Sequence, residues 1–255
     1  MSVVVDFGLA AGLALNSEPT PDKVVVISSA LGHGLGESMK RLAFVFMLAL
    51  FSGTVAASTA TSELDGAALA MRNMTATQQV PNSIVANAEC VAVIPAMTKM
   101  GAIVGGKHGS GVVSCRTKSG WSAPAFINIT GGSVGLQLGF EHQDMVLLMN
   151  KQGEQELSSG HWTLGAEAVA VGPNKQSTGG LDNSNWKTPV LIYSSASGAY
   201  AGANLEGSKI STDDQTIRDL YGPNATLQTI LGGQVPPPGS AQSFLAALNE
   251  ITAKR

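Results

Sequence analysis

The sequence predicts an α+β protein of mainly antiparallel β structure: a compact sheet sandwich or partial barrel with N-terminal helices and a C-terminal helix. Three observations carry this. From Val91 to Gly207, short apolar or alternating segments recur between glycine-rich turns, with no long helical stretch among them. Thirty glycines stand against seven Phe, three Tyr and three Trp, a balance that suits turns and closely packed strands better than a helical bundle. Helical spacing of apolar residues is confined to the stretches before Val91 and after Ser211.

The elements follow in order. Ser62-Glu63-Leu64-Asp65 reads as a helix start, a capping serine with an acid three residues on. Leu64, Ala67, Ala68, Met71 and Met74 then share one helical face, and Pro81 opens a second, short helix through Ile84, Val85 and Ala88. Val91 to Ile94 reads as a buried strand ending at Pro95. Residues 102–104 and 112–116 read as strands flanking "GGKHGSG", a glycine-rich loop that would put Lys107 and His108 at a hairpin tip. "APAFINIT" and "GSVGLQLGF" form a second strand pair, Met145 to Met149 a fully apolar strand, and 161–172, 189–198 and 199–207 further alternating segments. Thr212-Asp213-Asp214 caps a helix that stops at Tyr221-Gly222-Pro223. After the stiff linker "QVPPPGS", the last helix aligns Phe244, Leu245, Leu248 and Ile251, a face to be docked on the sheet or else set against a partner or membrane surface.

The N-terminus divides at Met39. Lys40 and Arg41, the apolar run Leu42 to Phe51 and the small residues Val55-Ala56-Ala57 have the order of a secretory signal peptide, with cleavage expected after Ala57. The division is therefore 1–38 upstream extension, 39–57 signal peptide, 58–233 main domain and 234–255 linker plus C-terminal helix, with a periplasmic location. Removing residues 1–57 leaves 12 basic against 14 acidic residues, no excess that would suit a nucleic-acid partner. Cys90 and Cys115 both follow the cleavage point; in an oxidising compartment they form one bridge, or else stand as two buried thiols on neighbouring strands.

Gly131-Gly132-Ser133-Val134-Gly135 matches the G-x-S-x-G pattern of a hydrolase nucleophile elbow, and Asp144 and His161 follow in triad order. An elbow needs a strained turn at the serine and a helix behind it. Here large residues (Val134, Leu136, Leu138, Phe140) alternate with small or polar ones (Gly131, Ser133, Gly135, Gln137, Gly139) straight through the serine. That reads as a strand whose small face, with Gly131, Gly135, Gly139 and the neighbouring Gly132, allows close packing, and Ser133 as a pleat. "GGKHGSG" lacks the phosphate-loop spacing, and His108, His142 and His161 lack metal-ligand spacing. No catalytic residue, metal or cofactor is expected. Lys99, Lys107, Arg116 and Lys118, with His108, form the densest basic cluster, readable as a phosphate-binding hairpin or as a solvated strand edge.

Several motifs in order resemble the SYLF lipid-binding domain family, in its exported bacterial branch. "NAECVAVIPAMTKMGAIVGGKHGSGVVSCR" is similar to its opening strand and glycine-rich hairpin. "GWSAPAFINITGGSVGLQLGFEHQDMVLLMN" resembles its G-G-x-x-G-x-Q-x-G core, and "TLGAEAVAVGP" and "YSSASGAYAGANLEGS" with "LYG" its closing segments. The resemblance covers roughly Ser62 to Gly222. It implies a non-enzymatic domain that binds membrane phospholipid, with anionic headgroups preferred, and a headgroup site at Lys107, His108, Arg116, Lys118 and Lys99. Among eukaryotic relatives it also implies phosphoinositide and, in yeast, actin binding. The alternative function is a structural or protein-interaction module of the envelope with a protein partner and no lipid dependence.

Overall fold

The computed structural model describes residues 59–101, 104–134, 139–165, 168–170, 186–195 and 205–253, all within one compact unit, Phe46–Arg255. The predicted extension 1–38, signal peptide 39–57, Gly135 and most of the strand expected at 199–207 lie outside the described residues.

Helices α1 (residues 59–76) and α2 (Asn82–Asn87) precede strands β1 (Cys90–Gly101), β2 (Val104–Thr117), β3 (Gly120–Trp121), β4 (Ala125–Val134) and β5 (Gly139–Met149). Helix α3 (Lys151–Ser158) leads to β6 (His161–Thr163), β7 (Ala168–Ala170), β8 (Val190–Ser194) and β9 (Lys209–Thr212). Helices α4 (Asp214–Tyr221), α5 (Leu227–Leu231) and α6 (Gln242–Ala253) close the chain. The strands form one curled sheet in the order β6-β9-β4-β2-β1-β5-β8-β7, with β3 added to β2. Among the described residues every pairing is antiparallel except β7 with β8. Of the two forms left open by the sequence, the sheet takes the partial barrel.

In its lower half the sheet is buried on both faces. Val91, Val93, Val112, Phe126, Val146 and Leu148 point to one side, Ala92, Val113, Ile127, Leu147 and Met149 to the other, and all are at most 1% exposed. That double burial explains why Met145–Met149 is apolar without alternation. The α1 stripe Leu64, Ala67, Ala68, Met71 and Met74 is buried as predicted, although Ser62 lies inside the helix instead of capping it. Helix α6 buries Phe244, Ala247, Leu248 and Ile251 and packs against α2; Arg72 of α1 pairs with Glu250, and Ser243 Oγ donates to Asp65 Oδ1 at 2.6 Å. The tail helix is thus docked mainly on the N-terminal helices.

Two expectations about strand ends change. β1 does not stop at Pro95: it passes through a bulge between Val93 and Thr98 and continues to Gly101. A bulge is where a strand tolerates a residue without an N–H. Ala96, at φ 54°, takes the left-handed conformation there, and its N–H donates to Asp144 Oδ1 at 3.0 Å. "GGKHGSG" is likewise no loop; it is the middle of the continuous strand β2, Val104–Thr117. The glycines serve close approach: a Cβ at Gly109 would lie 2.6 Å from both Ile94 Cγ2 and Met97 Sδ, where the bulge presses on β2.

Candidate functional site

Among the described residues, the central strands β5, β1, β2 and β4 run on beyond the pairing of β8 with β5, over Met145–Met149, and of β9 with β4, over Ile127–Thr130. The upper half of this ladder carries the polar residues, sorted by the pleat onto two faces.

On the inner face one row runs Lys99, Lys107, Gly131 across β1, β2 and β4, with position 141 of β5 in register with Lys99. Lys107 is 6% exposed and Lys99 half-buried. Burial first, then the positive charge of Lys99, pushes the Lys107 ammonium below its usual range. A Cβ at Gly131 would lie 2.8 Å from Lys107 Cε and 2.6 Å from Ser208 Oγ, so the missing side chain is what lets both approach. The Ser208 hydroxyl is buried without a hydrogen-bond partner. Gln143, on the same face, accepts from Ser194 Oγ at 2.6 Å, while its Nε2 is buried and unpartnered.

On the outer face the next row runs His142, Thr98, His108, Thr130, Lys209, followed by Ser110, Asn128, Ser211 and His161. His108, His142, His161, Thr130 and Lys209 are exposed. His142 Nδ1 lies 3.0 Å from Thr98 Oγ1, and Ser110 Oγ donates to Asn128 Oδ1 at 2.8 Å.

The predicted basic cluster is therefore divided. Lys99 and Lys107 are brought together on the inner face; His108, next in sequence, points to the outer one. Arg116 lies about 30 Å along β2 from Lys107. Its guanidinium donates to the carbonyls of Ala88 (3.1 Å) and Ala86 (3.0 Å) at the end of α2 and sits 4.3 Å over the Trp121 ring. Lys118 is exposed in the turn between β2 and β3. Gly132 has open space around it, and Gly139 pairs with Gly101. Cys90 and Cys115 are directly opposite, 4.0 Å apart at Cα, and form a disulfide.

Ser133 pairs with Gly105 inside β4, which continues to Val134, and β5 begins at Gly139, too soon for an elbow helix. Asp144 is engaged with the Ala96 amide. Sequence reasoning singled out neither Ser208 nor Gln143, although both lie within the stretches that carry the resemblance. The one available signal was Gly131, a strand glycine whose neighbour had to be close.

The family whose sequence model matches residues 130–251 is Ysc84, described as Las17-binding protein actin regulator. Relatives include SH3 domain-containing YSC84-like protein 1 of Rattus norvegicus, 34% identical over 179 residues, 69% of this chain and 52% of the relative. The human protein of the same name is 32% identical over 179 residues, again 69% of this chain and 52% of the relative. LAS seventeen-binding protein 3 of Saccharomyces cerevisiae (strain ATCC 204508 / S288c) is 33% identical over 179 residues, 68% of this chain and 39% of the relative.

The chain belongs to the Ysc84 family.

This is the SYLF domain family that the sequence motifs resembled. The chain spans about half the length of the rat and human relatives it matches. The Ysc84 match begins at Thr130 on the outer face and runs into α6, so the C-terminal helix lies within the family's pattern. No solved structure matches this chain.

Proposed function

We propose that this Ysc84 domain is a non-catalytic binding module, exported to the cell envelope, whose partner is another protein. The carrying observation is the outer face of the projecting ladder. It offers exposed His108, His142, His161, Thr130 and Lys209 on a regular sheet, while the lower half of the same sheet is covered on both sides. Asp144, the acid on that face of β5, accepts from the Ala96 amide. The excess of basic and hydrogen-bonding groups suits an acidic protein surface. The names of the relatives support a protein-binding role: Las17-binding in yeast, SH3 domain-containing in mammals. Export would separate the chain from actin-regulating machinery, so the kind of role carries over here and the particular partner does not. The export part is supported by the segment 39–57 and by the Cys90–Cys115 bridge, since disulfides persist in oxidising compartments.

The phospholipid reading now draws on a weaker patch. Lys107 faces inward, Lys99 is half-buried and Arg116 is bound to backbone carbonyls, so His108 and Lys118 are the exposed members of the set. One experiment separates the two. A photo-crosslinking amino acid replaces Thr130 or Lys118 in the full chain expressed in its host, and the purified chain is floated with neutral and anionic vesicles. A discrete protein adduct from position 130 and none from 118, with no flotation, is expected. Salt-sensitive flotation on anionic vesicles without a discrete adduct would overturn the protein-partner reading in favour of lipid.

A further inference from the structure

Helix α1 carries a buried ionisable group that plays no part in the docking face. Glu63 stands one position before Leu64, at the edge of the apolar stripe that seats the helix on the core. Its Oε1 is buried without a hydrogen-bond partner among the described residues. A carboxylate oxygen so placed has lost its water and gained no donor in return. One turn on, the helix backbone lies against the β1 bulge: a Cβ at Gly66 would be 3.5 Å from Pro95 Cβ and Cγ. The Asp213 N–H donates to Phe126 O at 2.9 Å, and Phe126 lies in the row Val93, Val112, Phe126 that crosses the sheet beside that bulge. The first turns of α1 and the start of α4 therefore reach the same part of the sheet, and the negative charge of Asp213 bears on Glu63.

Asp213 is fixed in place. As the cap of α4, its Oδ1 accepts from the Thr216 amide at 3.1 Å and its Oδ2 from Thr216 Oγ1 at 2.9 Å. The other charges nearby are engaged or face water. On α1, Asp65 accepts from Ser243 Oγ and Arg72 pairs with Glu250. Residues 91–97 of β1 and 125–129 of β4 carry no ionisable side chain. On β9 and α4, Lys209, Asp214, Arg218 and Asp219 are exposed, and the Tyr221 hydroxyl donates to Pro124 O. Two carboxyl groups from different elements are thus held in one partly buried contact. Burial first, then Asp213, pushes Glu63 up to about 7.

We infer that the contact between α1 and the β9–α4 junction is a proton-operated latch. With Glu63 neutral the helix is seated; with Glu63 ionised beside Asp213 the helix lifts as a unit while the sheet stays folded. Lifting uncovers the stripe Leu64, Ala67, Ala68, Met71 and Met74. The seated form holds the extra proton, so acid keeps the latch closed and opening grows as pH rises through about 7.

The test is native-state amide exchange of the full chain at pH 6 and pH 8, corrected for the intrinsic exchange rate and repeated in low urea. One proton held only by the seated form requires the α1 opening to grow about tenfold between these pH values. Amides of α1 should exchange through an opening that urea scarcely changes, whereas those of β1 and β5 exchange through urea-sensitive unfolding. Glu63→Gln, close in shape and uncharged, removes the pH step. Asp213→Asn leaves a capping residue at the start of α4 and moves the step to lower pH. Exchange of α1 as urea-sensitive as that of β1 and β5 would show that the helix does not open alone and would overturn the latch. A wild type without the step, or a step that survives in Glu63→Gln, overturns it equally.

Discussion

Strands β1, β2, β4 and β5 each pass through two environments, and the contrast between them organises the molecule. In the lower half, helices or further strands cover both faces and the buried positions are apolar apart from Ser114; in the upper half the same strands hold lysines on one face and histidines on the other. Hydrogen-bonded pairing is the same in both. What differs is what lies above and below the sheet. Burial converts a strand into core; in the upper half only the outer face is exposed as a display surface, while Lys107 and Gln143 stay buried on the inner one.

The largest effect comes from emptying the lower half. Phe126→Ala removes a fully buried ring and is expected to cost about 3–5 kcal/mol in denaturant unfolding; a loss below about 1 kcal/mol would mean the lower half is not a packed core. The bridge comes next. Cys90→Ala with Cys115→Ala opens a loop with a sequence separation of 25 and should cost about 3 kcal/mol, visible as a lower unfolding midpoint that reductant no longer shifts.

A pH effect sharpens the comparison at the α1 contact. Glu63 is pushed up to about 7, by burial first and then by the charge of Asp213, and its Oε1 is buried without a partner. A folded-state value above the unfolded one means the folded chain holds the extra proton. The associated stability is present below about pH 4.5 and is lost as pH rises toward 7. Glu63→Gln should flatten that slope and raise stability at pH 8 by on the order of 1–2 kcal/mol, after discount for partial exposure. An unchanged slope in the variant would remove Glu63 from the account.

Arg116→Ala should cost about 1–2 kcal/mol by releasing the Ala86 and Ala88 carbonyls, and amide hydrogen exchange should quicken first at the end of α2. Smallest of all, His108→Ala and His142→Ala should each stay within about 0.5 kcal/mol of wild type, as exposed positions do. A large loss from either would show that the upper outer face is packed after all.

Much of the lower half was legible. The apolar run Met145–Met149, the α1 stripe and the Asp213 cap are local patterns with local causes: burial on two faces, burial on one face, and a side chain meeting the Thr216 amide. The short helices α3 and α5 went unread, although Asn150 accepts from the Gln152 and Gly153 amides and Thr226 and Thr229 cap each other reciprocally. The site was legible only in composition. Lys99, Lys107, Arg116 and Lys118 stand close in sequence, but spacing alone does not say that an apparent loop is a strand. Once it is, alternate residues part to opposite faces and the nine positions from Lys107 to Arg116 become distance.

By itself the sequence determined the class of the fold, the presence of helices at both ends, the alternation that makes Ser133 a strand residue, and the family. Those follow from periodicity and from ordered motifs, which are properties of neighbours along the chain. Only the tertiary structure decided that Cys90 meets Cys115, that Arg116 closes α2, and that Ser208 comes to Lys107 over Gly131. Each of these joins residues brought together by strand register, and register is set by the packing of the whole sheet.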